Sequence, residues 1–309
     1  MITIKKILYP TDFSADARQA LNHALFLADQ FGAELHMLHV LTLHNNDPYN
    51  VAYHFETLED LDDRLRKLAT SGMAELLESH RNDALNVIQV QRKESHPVPA
   101  IVSYIEEAEI DLVVMGTRGR RGLSKMIQGS VTEETVRLAT CPVLTVHSNT
   151  EETPVEQFSN ILVPIDFSTH SKHALLAAVE LAQTYNASLQ LVHVLEAPVM
   201  ADYYISMVGS IATDTMERLE ESAFDSLETM MEPYKGQENT PSYSCHVVHG
   251  RATVEIAEFA KNHKSDLVVL STHGLTGLQH VVFGSVAENV VRHASCPVFT
   301  VKSFTNVNA

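Results

Sequence analysis

No apolar run in this chain approaches the roughly 18 residues that a membrane-spanning helix requires, although 45% of its residues are hydrophobic. A membrane partner is therefore not expected. Cysteine is scarce: Cys141, Cys245 and Cys296 form no C-x-x-C pair, and an odd count cannot close entirely into disulfides. A disulfide scaffold is excluded, and the expected compartment is the reducing cytoplasm. Positive charge is also in short supply. Twenty-two Lys and Arg stand against 39 Asp and Glu, and the net charge of −17 opposes nucleic-acid binding, which needs a broad basic surface. Lys5 and Lys6 precede an apolar stretch, but Asp12 interrupts it and no cleavage-site pattern follows. That stretch reads as a first strand rather than an export signal.

Catalytic signatures are missing as well. There is no Gly-Lys-Ser/Thr ending of a P-loop, no Gly-x-Ser-x-Gly elbow and no two-histidine zinc helix. The chain has 17 histidines, yet His36 and His39 lie an odd number of residues apart on one strand, as do His246 and His249, so each pair points to opposite faces. No compact ligand pattern results, no metal site is expected, and no residue is named as a catalytic base.

What the chain does contain is a long internal repeat. Ile7-Leu8-Tyr9-Pro10-Thr11-Asp12-Phe13-Ser14 returns as Ile161-Leu162-Val163-Pro164-Ile165-Asp166-Phe167-Ser168, and His39-Val40-Leu41 returns as His193-Val194-Leu195, at a spacing of 154 residues. Asp111-Leu112-Val113-Val114 and Cys141-Pro142-Val143 return at a spacing of 155. This period is too long for a solenoid, so two complete domains are expected. They span residues 1–148 and 159–309, joined by a short polar linker at 149–158.

Each copy alternates strands with helices. In the first, strands are expected near 4–10, 34–41, 87–90, 111–115 and 142–147, with helices over 14–31, from about 55 to 80, from Pro97, and over 130–139. The second repeats the order, with strands near 160–165, 188–195, 243–249, 266–271 and 297–302. Alternation of this kind implies a parallel sheet covered by helices on both faces. Ligands of doubly wound sheets sit at the carboxyl ends of the strands. The glycine-bearing segment Gly116-Thr117-Arg118-Gly119, nine residues, then Gly129-Ser130 falls at that end, and it returns as Ser271-Thr272-His273-Gly274, nine residues, Gly284-Ser285. A turn of this type before a helix leaves backbone N–H groups for an anion. Arg118, Arg120, Arg121 and Lys125 make the first loop a basic island in an acidic chain. The bland readings are a solvated basic loop, turn glycines needed only for conformation, Ser130 and Ser285 as helix caps, and Asp12 and Asp166 as caps rather than base readers.

Taken together, Pro-x-Asp-Phe-Ser after the first strand, the glycine motif after the fourth and the terminal Cys-Pro-Val strand resemble the universal stress protein family in its tandem form. The resemblance covers nearly the whole chain. It implies two tandem doubly wound α/β domains, each a five-stranded parallel sheet of order 3-2-1-4-5 flanked by helices, that bind adenine nucleotide. The implied ATP contacts in the first domain are Pro10, Thr11, Asp12 and Val40 around adenine, and Met115, Gly116, Arg118, Gly119, Gly129, Ser130 and Val131 around ribose and phosphates. In the second they are Pro164, Ile165, Asp166, Val194, Leu270, Ser271, Gly274, Gly284, Ser285 and Val286. Ser271 departs from the motif where its first glycine belongs: its Cβ would crowd the ligand or forbid a positive φ, or its hydroxyl would serve as a ligand contact. Leu275, Thr276 and His280 also make the second loop less basic, so the first domain is the preferred site. Against this, the second half has Gly250 after its third strand where the first has Ser95. Magnesium, which needs few protein ligands, is compatible with the nucleotide.

The leading reading is an ATP-binding stress-response protein that acts as a nucleotide-dependent switch or interaction module, with an unknown protein partner. A weak ATPase or nucleotidyl-transfer enzyme, and a tandem module holding another small molecule or none, stay open beside it. Terminal strands in the resembling family join two domains, which implies intramolecular pairing of the halves and a further homodimer.

Overall fold

The computed structural model describes residues 3–42, 58–78, 85–117, 130–147, 158–196, 210–237, 239–272 and 283–302. The chain divides between Glu156 and Gln157 into two compact units. The first contains β1 (Lys6–Pro10), α1 (Ala15–Phe31), β2 (Glu34–Leu41), α2 (Leu58–Glu78), β3 (Val87–Lys93), α3 (Pro97–Glu107), β4 (Leu112–Gly116), α4 (Ser130–Leu138) and β5 (Val143–Val146). The second contains β6 (Asn160–Pro164), α5 (Thr169–Tyr185), β7 (Ser188–Leu195), α6 (Ser210–Met231), β8 (Tyr243–His249), α7 (Ala252–Asn262), β9 (Leu267–Ser271), α8 (Ser285–His293) and β10 (Val298–Val301), with a 3₁₀ turn at Glu232–Tyr234.

Within the first unit the strands run parallel in the order β3-β2-β1-β4-β5, and within the second in the order β8-β7-β6-β9-β10. This is the expected order 3-2-1-4-5 in each. The central strands are apolar throughout because helices cover both faces: Ile7, Leu8 and Tyr9 of β1, and Leu112, Val113 and Val114 of β4, are fully buried. Right-handed crossovers set α1 and α2 on one face and α3 and α4 on the other, and α3 packs on α4. β3 runs three residues beyond the expected end at Val90. Gln91, Arg92 and Lys93 stay in register with His39, Val40 and Leu41, and their polarity hides an edge strand from a hydrophobicity reading.

Two aspartates lock the first strand of each unit in place. Asp111 Oδ2 accepts from the backbone N–H of Lys5 at 2.7 Å and of Lys6 at 2.9 Å, and Asp266 Oδ2 accepts from Ser159 at 2.8 Å and Asn160 at 2.9 Å. At its other end the strand leaves the sheet through a sharp turn. Phe13 and Phe167 sit in the left-handed region, at φ 64° and 62°, a conformation that bulky residues rarely adopt. In each unit a histidine from the second strand holds the turn. His39 lies 4.5 Å from the Phe13 ring and its Nδ1 donates to the Thr11 carbonyl at 2.8 Å. His193 does the same for Phe167 and Ile165, at 4.5 and 2.7 Å. A carbonyl can only accept, so the proton of each imidazole is fixed on Nδ1.

The turn drives the start of α1 against the end of β4. A Cβ on Gly116 would lie 2.7 Å from the Asp16 carbonyl carbon and 2.9 Å from Ala17 N. Gly116 is not at positive φ, so its requirement for glycine is steric and comes from the helix backbone, not from turn conformation. Gly250 is at φ 144°. Its N–H donates to Leu195 O at 3.2 Å, as Glu94 N–H donates to Leu41 O at 3.2 Å. Its counterpart is therefore Glu94, not Ser95, because the spacing of the repeat rises to 156 at β3 and β8. Gly116→Ala is expected to destabilise the first unit by roughly 1–3 kcal/mol through overpacking. Ser271→Gly should change stability by at most about 1 kcal/mol. Chemical denaturation followed by circular dichroism measures both; equal costs would contradict the steric account.

Candidate functional site

The crevice lies where β1 and β4 are neighbours and their helices depart to opposite faces, the point at which an open α/β sheet leaves strand ends uncovered. β1 ends at Pro10, which is half-buried, and Thr11, which is buried, donates its N–H to Leu38 O of β2 at 2.8 Å. Asp12 is half-buried, and its Oδ1 accepts from Ser14 N at 3.0 Å. Ser14 in turn is the helix cap, its Oγ accepting from Ala17 N at 3.3 Å. Asp12 is thus not the cap of α1: it orients the residue that is. The Thr11 hydroxyl adds one more brace, accepting from Phe13 N at 3.1 Å.

Across the crevice, β4 brings Met115, buried, and Gly116, half-buried. Thr132 Oγ1 donates to the Gly116 carbonyl at 2.7 Å. That bond ties the first turn of α4, including the half-buried Val131, to the end of β4. The first N–H groups of a helix have no partner within it, so α4 presents donors and the positive end of its dipole beside the strand end. Val40 is half-buried near the end of β2, the strand beside β1. Asp16, which the sequence reading passed over, is buried in the first turn of α1, 3.4 Å from the Thr117 hydroxyl. Its acidity at a helix N-terminus is the signal that could have marked it. Arg118, Gly119 and Gly129, and the side chain of Ser130, lie outside the described residues, as do Arg120, Arg121 and Lys125.

In the second unit the same arrangement recurs with differences. Pro164, Asp166 and Val194 are half-buried, while Ile165 and Leu270 are buried. Asp166 Oδ1 accepts from both the N–H and the hydroxyl of Ser168, at 3.0 and 2.6 Å, and Ser168 caps α5. Ser271 is half-buried at the end of β9. Gly284 is the N-cap of α8 at φ −64°. Its N–H donates to Thr272 O at 2.9 Å, and a Cβ on it would meet that oxygen at 3.2 Å. Gly284 is therefore favoured by close approach rather than by a left-handed turn. Ser285 is exposed, Val286 is half-buried, and Gly274 lies outside the described residues.

His39, His193, Phe13 and Phe167 organise both turns, whereas the sequence marks them as repeat positions and weighs His39 only as a metal ligand. Their recurrence at a fixed spacing was the available signal. Among the described residues no group of three or more His, Cys, Asp or Glu is arranged to hold a metal, and no helix is long and apolar enough to cross a membrane. None of the three cysteines forms a disulfide, and burial pushes the Cys296 thiol up to about 12.

The universal stress protein family matches this chain twice, over residues 3–147 and 157–302. Universal stress protein Rv2005c of Mycobacterium tuberculosis (strain ATCC 25618 / H37Rv) is 31% identical over 208 residues, or 67% of this chain and 66% of the relative, so the match spans just under two thirds of that protein. Universal stress protein MJ0577 of Methanocaldococcus jannaschii is 29% identical over 156 residues, covering 47% of this chain and 96% of the relative. A universal stress protein from Archaeoglobus fulgidus DSM 4304 has the same fold, with a TM-score of 0.65 at 20% identity over 96% of this chain and 98% of that one. With the family's model matched over both halves and the parallel order repeated in both units, the chain belongs to the universal stress protein family.

Proposed function

We propose that the first unit binds ATP in the crevice between β1 and β4, and that binding serves a stress response as a nucleotide-dependent switch or interaction module. The observation that carries this reading is the Thr132–Gly116 bond. It holds the N-terminus of a helix beside a strand end that α1 has already forced to be glycine, which is a site suited to an anion. In this reading Pro10, Thr11, Asp12 and Val40 contact adenine, and Met115 and Gly116 contact ribose. Gly119, Gly129, Ser130 and Val131 hold the phosphates, with Arg118 neutralising charge. Magnesium arriving with the nucleotide would be held chiefly by phosphate oxygens and water. A cytoplasmic location and a homodimer belong to the same proposal.

The second unit keeps the turn, the cap and the helix start but has Ser271 for Gly116, and Leu275, Thr276 and His280 opposite Arg120, Arg121 and Lys125. It is the weaker site. In calorimetric titrations with ATP, Gly119→Glu should lower the affinity of the stronger binding event at least tenfold, while Gly274→Glu leaves it in place. Equal losses would remove the asymmetry.

Turnover is expected to be negligible, because no side chain at the crevice is identified as a base for an attacking water. Phosphate release measured at saturating ATP and magnesium checks this. Sustained turnover near the ~10 per second of ordinary enzymes would replace the switch with an ATPase.

A further inference from the structure

The outer strand of the second unit differs from its sister in one respect that bears on function. In the first unit, the corresponding edge is filled by the chain's own cations. Lys93 of β3 pairs with Asp62 of α2 at 2.9 Å, and Arg66 holds the other oxygen of the same carboxylate at 2.9 Å. On the opposite face Arg92 pairs with Glu107 of α3, its guanidinium 5.5 Å from the centre of the Tyr104 ring. Gln91 reaches Thr70 at 2.9 Å. These side chains bridge from the strand to the helices on either side, a common way of blunting an exposed edge.

The register makes the sister positions unambiguous. Val40 pairs with Arg92 and Leu41 with Lys93, whereas their repeats Val194 and Leu195 pair with Val248 and His249 of β8. Both cations are gone. In their place is a cleft of about 920 Å³ lined by four consecutive β8 residues, Cys245 to Val248, and by side chains from α6 and α7. It runs along the edge of the sheet, since successive β8 residues face different helices. Tyr243 and His249 bond Glu228 and Glu220 of α6, at 2.8 and 3.2 Å, and His246 packs 5.0 Å from Phe259 of α7.

Six carboxylates line this cleft: Glu217, Glu220, Glu221, Asp225, Glu255 and Glu258. Among the described residues its lining holds no lysine or arginine, and apart from Glu220 none of the six has an ion-pair partner. Phe224 is 42% exposed, so one aromatic face of the kind that receives a guanidinium lies beside the acids, while Phe259 is buried under His263. Among the described residues of its unit β8 pairs only with β7, and an edge strand presents outward backbone N–H and C=O groups to another strand.

We propose that this edge cleft takes an extended, arginine- or lysine-rich segment of a partner protein, which adds to β8 as a strand and supplies the cations that Arg92 and Lys93 supply in the first unit. Backbone hydrogen bonds would provide affinity, and the carboxylates of α6 and α7 would select alternate basic side chains. The site is separate from the nucleotide crevice and does not rest on it.

The probe is a fluorescein-labelled nine-residue peptide in which pairs of arginines alternate with pairs of threonines, so that an added strand carries cations on both faces, titrated against the full chain by anisotropy at physiological salt. Binding is expected, together with slowed amide exchange in Tyr243–His249. Val248→Arg with His249→Lys, which installs the first unit's residues, should weaken it at least tenfold. The combined Glu217→Gln, Glu221→Gln, Glu255→Gln and Glu258→Gln variant should do likewise, and provides the test if the first variant fails to fold. A peptide of equal charge with proline in place of each threonine pair loses donors on the β8 side in either register and should bind at least tenfold more weakly. Absence of binding, indifference to the folded variants, or equal binding of the proline peptide as expected from charge attraction alone would each overturn the proposal.

Discussion

The structure of each unit turns on a left-handed aromatic residue held by a histidine. After the first strand the chain must leave the sheet and start a helix within four residues, and it does so by placing Phe13 and Phe167 at positive φ. Such a conformation costs on the order of 1–3 kcal/mol. The imidazole packed against the ring at a tilt and its bond to the preceding carbonyl offset that cost. In the first unit the consequence reaches the neighbouring strand, because α1 starts so close to β4 that a Cβ at 116 would collide with its backbone, whereas the second unit keeps the turn and accommodates Ser271. The crevice is the space that remains between two strand ends and two helix starts.

Having two copies of one domain makes divergence visible without any outside reference. The turn, the cap and the aspartate clamp are kept in both units, which marks them as requirements of the fold. Among the differences, three lie at the candidate crevice and at the outer edge: Ser271 for Gly116, and Val248 and His249 for Arg92 and Lys93. The first unit is equipped with a basic loop and a self-neutralised edge. The second has a less basic loop and an acidic open one, a division of labour that a tandem chain permits.

Much of the fold was legible because its signals are local. Continuous apolar runs marked β1, β4 and their repeats, and Pro97 marked a helix start. The polar end of β3 was missed because only pairing with β2, across the chain, reveals it. Meaning that depends on contact was harder to read. A histidine in a strand looks like core or ligand until its partner carbonyl is known, and Gly116 looks like a turn glycine until the helix against it is seen. Gly250 was matched to Ser95 for the same reason, since a shift of one residue shows only in the hydrogen bonds. The edge cleft was invisible because its acids, near 217–225 and 255–258, meet only through the sheet that separates their helices.

The central claim is that the duplicated turn builds a ligand crevice at the β1–β4 junction, and that the first unit uses it for ATP. Amide chemical shifts recorded during an ATP titration test this most directly. The account predicts that the shifts concentrate in Pro10's neighbours Thr11 to Ser14, in Met115 to Thr117 and in Val131 and Thr132, and that at low ATP they exceed those at Ile165 to Ser168. Shifts clustered instead around Lys5, Lys6 and Asp111 at the opposite end of the strands, or no shifts at saturating ATP, would contradict it.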